Sequence, residues 1–145
     1  MRRLILTAVW VLTAFAPASA EVRILASAGG EVGDYLSVFS TLRDSGEKIA
    51  IDGPCLSACT LVLSAIPGDR ICVTPRAIFG FHAAQWVDQH GRKLPAADAT
   101  RLVTATYPAA VRNWINQHGG LTRRLILLRG RELTALFPAC DNSTG

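Results

Sequence analysis

The sequence predicts an α/β fold, a small parallel sheet covered by helices. Three observations predict it. Short apolar runs alternate with helical stretches in strand–helix–strand–helix order, which favours parallel strands joined by helical crossovers. Glycine and proline punctuate the junctions, at Gly29-Gly30, Gly46, Gly53-Pro54, Pro67-Gly68 and Gly119-Gly120. A length of 145 residues, half of them hydrophobic, suits one core rather than several.

The chain opens with Arg2 and Arg3, an apolar run over residues 4–15, and Ala18-Ser19-Ala20. That is the layout of a secretory signal peptide cleaved after Ala20, leaving residues 21–145 as one α/β domain. The apolar run is short for an uncleaved membrane anchor. Removing Arg2 and Arg3 leaves thirteen basic against eleven acidic residues, so the exported chain is only mildly basic. With no Lys/Arg stripe, a nucleic-acid partner is not expected.

Residues 22–26 read as a strand and Ser27-Ala28-Gly29-Gly30 as a turn. Residues 31–45 read as a helix, with Val32, Leu36, Phe39 and Leu42 on one face. Residues 48–51 form a second strand, broken at Gly53-Pro54. Residues 56–65 are apolar nearly all round and predict a buried helix. Two more short strands, 70–73 and 77–81, are separated by Pro75. Residues 86–95 are polar and predict an exposed loop over the site, a candidate lid. Residues 96–117 predict the longest helix, kinked or split at Pro108. Thr122 is placed to cap a helix over 123–129, followed by a shorter helix over 132–137.

Export favours disulfides among Cys55, Cys59, Cys72 and Cys140, and four cysteines allow three complete pairings. A bond between Cys72 and Cys140 would tie the C-terminal tail to a central strand. Cys55 and Cys59 then either pair or remain thiols. Their spacing fits neither a zinc ribbon nor a finger, so no metal or cofactor is expected.

The most informative stretch is Gly53-Pro54-Cys55-Leu56-Ser57-Ala58-Cys59, followed by Phe79-Gly80-Phe81-His82. It sets Ser57 in a tight turn between a strand and an apolar helix, and His82 at the end of another strand. A serine needs a base, an oxyanion hole and a cradle to act as a nucleophile. His82 is the candidate base, because His90 lies in the polar loop and His118 at a helix end. The N–H groups of Ala58 and Gly30 are the candidate oxyanion donors. Each element also has a plainer use: Ser57 as a helix cap, His82 as a structural side chain, Gly29-Gly30 as a bare turn. Their succession on neighbouring strand ends is what favours chemistry, since ligand sites in parallel sheets gather there.

This order of elements, with Gly29-Gly30, Ser57-Ala58 and His82 spaced as they are, resembles the proteolytic subunit of the Clp protease and, more broadly, the Clp-protease/crotonase superfamily. Cys55-x-Ser57-Ala58-Cys59-Thr60 with Gly80-Phe81-His82 is most similar to an exported branch of it. The resemblance covers residues 22–82 and weakens over 96–140. It implies a spiral of ββα units, truncated at the N-terminus, with Ser57 as nucleophile, His82 as base, and Gly30 and Ala58 as oxyanion donors. Two departures stand out. The family's third member is an aspartate in the later helical region, where this chain has an apolar residue near Leu125 and no acid over residues 123–131. Asp88, Asp98, Glu132 and Asp141 remain as orienting acids, or the site is a dyad. The strands and helix that precede the first glycine pair in the family are also missing, so its stacked rings are not expected, nor is an ATPase partner outside the cytoplasm.

Two functions compete. One is an exported serine peptidase or acyl hydrolase acting on peptides or proteins. The other is an inactive relative that keeps the fold for binding or assembly. A thiol role for Cys55 and Cys59 ranks below both. Self-association into a homo-oligomer is expected. The sequence names no specificity pocket, although Trp86 and Trp114 are candidates to line a groove.

Overall fold

The computed structural model describes residues 20–141, so the expected signal peptide, 1–20, lies almost wholly outside the described residues. The first unit runs from β1 (Glu21–Ile24) through α1 (Val32–Ser45) to β2 (Lys48–Ile51). β3 (Pro54–Leu56) follows, then a 3-10 turn (Ser57–Leu61) continued by α2 (Val62–Ala65). β4 (Ile71–Val73) and β5 (Ile78–Phe81) come next, then a hairpin of β6 (Gln85–Val87) and β7 (Lys93–Pro95). The chain closes with α3 (Ala97–Thr106), α4 (Ala109–Gln117), β8 (Ile126–Arg129) and α5 (Gly130–Thr134).

The result is a mixed α/β protein with two small three-stranded sheets, not one parallel sheet. The order β1-β2-β4 is parallel throughout, and β3-β5-β8 pairs β3 with β5 in parallel and β8 antiparallel to β5. Three elements depart from the sequence reading. Pro54 begins β3 rather than ending the strand region; the first residue of a strand can lack an N–H without losing a ladder bond. Residues 126–129, expected as helix, form β8. Burial there alternates, with Leu128 inside and Leu127 outside, which is the period of a strand. The polar loop is a hairpin whose strands pair Trp86 with Leu94.

The long helix splits where Pro108 stands, because a proline ring has no N–H to continue the ladder and is well suited just before a new helix. Between the sheets and helices lies one apolar cluster built on Phe39, Ile49, Ile51, Val62, Phe79, Phe81, Val111, Ile115 and Leu128. Phe81 meets Tyr107 edge-on with ring centres 5.4 Å apart, and it also contacts Trp114, which is buried.

One corner joins the two sheets. Asp52, at the end of β2 and 4% exposed, accepts bonds from Arg23 of β1 and from Thr74 and Arg76 in the β4–β5 connection. The guanidinium of Arg76 and the Thr74 hydroxyl hold its carboxyl well below the usual carboxylate range. Cys72 bonds to Cys140 and Cys55 to Cys59, so no cysteine is free and none offers a thiolate.

Candidate functional site

Ser57 is the one non-glycine among the described residues with positive φ, at 56°. Left-handed backbone at an L residue costs of order 1–3 kcal/mol and persists only where the surroundings impose it. Here three constraints impose it. The preceding residues are paired into β3 against β5, with Leu56 opposite Gly80. The Cys55–Cys59 disulfide closes directly around the serine. The Thr60 hydroxyl donates to the Ser57 carbonyl at 2.7 Å. Since that bond spends the one hydroxyl hydrogen of Thr60, the 2.6 Å contact between Thr60 and Tyr107 has the Tyr107 hydroxyl donating. Burial pushes the Tyr107 hydroxyl up, so it stays protonated as that donor.

A strained strand-to-helix turn of this kind lifts a serine Oγ out of the regular alternation of a strand. Leu56 holds the cap position of the 3-10 turn and Ser57 is its first residue, so the cap reading of this residue does not describe it. Cβ-sized space at Gly29 is occupied by Ser57: a methyl group there would sit 2.5 Å from the Ser57 Cβ, 2.7 Å from the Leu56 carbonyl oxygen and 3.0 Å from the Ala58 nitrogen. Gly29, at φ 86°, therefore brings its backbone against the serine turn as a side-chain-bearing residue could not. The segment that carries it rides on β3, with Ser27 N–H donating to the Pro54 carbonyl and Leu56 N–H to the Ser27 carbonyl. The Ser27 hydroxyl accepts from Gly29 N–H and shares a proton with the Tyr35 hydroxyl at 2.6 Å.

The sequence singled out Gly30 as the second oxyanion donor. It is Gly29 whose substitution the space forbids, while a methyl at Gly30 would meet only Tyr35, at 3.4 Å. The two assignments are compatible, because the Gly30 N–H belongs to the peptide that follows the Gly29 Cα. Neither that N–H nor the Ala58 N–H meets an acceptor among the described residues.

His82 follows β5 directly, so Ser57 and His82 leave the same ends of neighbouring parallel strands, which lie about 4.8 Å apart. No hydrogen bond joins the two side chains in this structure. The Nδ1 of His82 lies 2.7 Å from the Ala83 carbonyl oxygen. A carbonyl only accepts, so Nδ1 carries the hydrogen and the Nε2 lone pair is free to take a proton.

None of the candidate orienting acids bonds to His82 among the described residues. Asp88 accepts from Arg92 and from the N–H groups of His90 and Arg92, which hold its carboxyl below its ordinary value. Asp98 pairs with Arg101, and Glu132 lies 3.5 Å from His118, whose ring stacks on Trp114. Asp141 is exposed at the end of the described chain. Among the described residues, the Ala83 carbonyl occupies the position on His82 that a carboxylate would fill. Trp86, a sequence candidate for a groove, is 66% exposed on the hairpin.

No known family and no curated protein matches the chain. Among solved structures, a mutant of ClpP1 from Listeria monocytogenes is similar, with a TM-score of 0.41 and 12% sequence identity. The likeness covers 85% of this chain and 92% of that one.

Proposed function

We propose that this protein is an exported serine hydrolase acting on peptide or acyl substrates, with Ser57 as nucleophile and His82 as general base in a dyad. The observation that carries the reading is the imposed left-handed backbone at Ser57, together with its place inside the turn rather than at its cap. A serine serving only as a helix cap needs neither feature. In this reading the chain follows the ββα spiral of the Clp-protease-like proteins and is exported by cleavage near Ala20.

The chemistry follows from the groups present. His82 Nε2 removes the proton from Ser57 Oγ as the oxygen attacks the substrate carbonyl carbon. The new oxyanion is received by the N–H groups of Ala58 and Gly30. The imidazolium then gives its proton to the leaving amine or alkoxide, and water, deprotonated by the same nitrogen, releases the acyl group. Replacing the triad acid of a serine protease by its amide costs about 10,000-fold, in part because the wrong tautomer results. The Ala83 carbonyl favours the correct tautomer but brings no full negative charge to the imidazolium. A slow hydrolase is therefore expected.

The test is labelling by a fluorophosphonate probe. Wild type is expected to react, with Ser57→Ala inert and His82→Ala strongly slowed. A folded wild-type protein that does not react, or a Ser57→Ala variant that reacts equally, removes the hydrolase reading and leaves the alternative, a binding or assembly module.

A further inference from the structure

A groove of about 540 Å³ lies between α3, α4 and the segment that leads into β8. Its walls are Thr100, Arg101, Thr104 and Ala105 of α3, Arg112 of α4, and Leu121. We propose that this groove receives the carboxylate of the substrate, which would make the protein selective for peptides bearing a carboxylate a short way beyond the cleaved bond. The proposal rests on the serine-hydrolase reading and names the substrate class for the same site.

Its hydrogen-bonding capacity is one-sided. The Thr100 hydroxyl accepts from Ala84 N–H and donates to the Ala96 carbonyl, and the Thr104 hydroxyl donates to the Thr100 carbonyl. Those hydroxyl hydrogens are spent. Arg112 is half-buried and uses one N–H on the Tyr107 carbonyl, at 2.5 Å. A guanidinium has five N–H groups, so most of its fork is free, and among the described residues Arg112 forms no ion pair with a carboxylate. Arg101 pairs only with Asp98 on its own helix, and both are exposed, so that bond exchanges cheaply for another carboxylate. No acid lines the groove, while Leu121 and Ala105 supply an apolar wall for an aliphatic side chain. The free fork of Arg112, beside an Arg101 whose exposed partner exchanges cheaply, suits a planar carboxylate.

The groove touches the scaffold of both catalytic candidates. Ala84, whose N–H bonds to Thr100 at 3.0 Å, is two residues beyond His82, and two residues span at most about 7 Å. Ala83 N–H donates to the carbonyl of Thr122, next to Leu121. Tyr107 holds Arg112 through its carbonyl and, through its hydroxyl, the Thr60 that fixes the Ser57 carbonyl. The step from His82 to Ala84 and the bond from Ala84 to Thr100 set the near wall of the groove within about 10 Å of the His82 backbone, about three residues at an extended rise of roughly 3.3–3.6 Å per residue. Two sources fit that chemistry, a free C-terminus or an acidic side chain.

The experiment uses the Ser57→Ala protein, which binds without turnover, and a fluorescent peptide in three forms: free C-terminal acid, C-terminal amide, and amide with an added glutamate. Anisotropy titrations are expected to give the free acid an affinity about tenfold above the amide, the size of one charge-assisted contact. That preference should vanish in Arg112→Gln, persist in part in Arg112→Lys, and survive in Arg129→Gln, a remote exposed control. If the glutamate-bearing amide matches the free acid, the carboxylate proposal stands with an acidic side chain as its source. Equal binding of all three forms, or a preference indifferent to Arg112→Gln in a folded protein, overturns it. A retained preference alongside a wild type that never labels would remove the hydrolase reading and leave the carboxylate site standing. If turnover is measured, the Arg112 effect should fall mainly on KM, which a purely structural loss would not single out.

Discussion

Replacing Gly29 by alanine should disable Ser57 without unfolding the protein. The added methyl would lie 2.5 Å from the Ser57 Cβ and 2.7 Å from the Leu56 carbonyl oxygen, on backbone at φ 86°. Left-handed backbone costs an L residue about 1–2 kcal/mol. Relieving an overpacked contact adds about 1–3 kcal/mol. The sum is about 2–5 kcal/mol, and at about 4 °C per kcal/mol for a domain of this size the melting temperature should fall by about 8–20 °C. Relief comes from pushing the glycine segment away from the serine turn, which separates the Gly30 and Ala58 N–H groups. Loss of one oxyanion donor slows acylation by about 100–1,000-fold. The assay is the rate of fluorophosphonate labelling, run well below the melting transition, beside a thermal melt. Gly30→Ala is the control: its methyl meets only Tyr35 at 3.4 Å and the N–H is kept, so stability and labelling should stay near wild type. Wild-type labelling in Gly29→Ala, or equal damage from Gly30→Ala, would refute the reasoning.

Thr60→Val keeps the side-chain shape but leaves the buried Tyr107 hydroxyl unpaired and the Ser57 carbonyl unsupported. It should cost about 1–3 kcal/mol in denaturant melts and slow labelling. Asp52 has a folded pKa depressed below its ordinary 3.8, so its contribution to stability is fully present above that value and is lost as pH falls from there through the lower folded value. Acid titration of the unfolding midpoint should therefore show a steeper loss below pH 3.8 in wild type than in Asp52→Asn, which is already weakened at neutral pH. Removing the Cys72–Cys140 bond, whose ends are 68 positions apart in sequence, should cost about 4 kcal/mol by loop entropy and spare labelling. Removing Cys55–Cys59, four residues apart, should cost only about 2 kcal/mol yet slow labelling, because it frees the Ser57 backbone. Equal labelling of the two disulfide variants would contradict that division.

Much of the scaffold was legible because its signals are local. The face of Val32, Leu36, Phe39 and Leu42 placed α1 to within a residue, Lys48–Ile51 emerged as expected, and Pro108 divided the long helix. The misread pieces are those whose state is set by a distant partner. β8 is a four-residue run that reads equally well as one helical turn, and only pairing with β5 decides it. β3 is three residues long and exists because β5 lies beside it. The hairpin offered three-residue alternations too short to register. At the site, the chain order of Ser57 and His82 was visible, whereas the left-handed Ser57, the close approach of Gly29 and the Ala83 carbonyl on His82 are backbone properties with no residue type of their own. The role of Tyr107 was missed because it lies 47 positions from Thr60 in sequence.

The carboxylate at the end of β2 reaches guanidinium and hydroxyl partners where the polypeptide passes from one layer of strands to the other. Sheets of three short strands are near the lower limit of independent survival. Sharing this latch and one apolar cluster, neither layer is a separable module, and cooperative loss of both is the natural mode of failure. Anyone transplanting the serine turn into a foreign scaffold would have to carry that latch with it, although it touches no part of the turn.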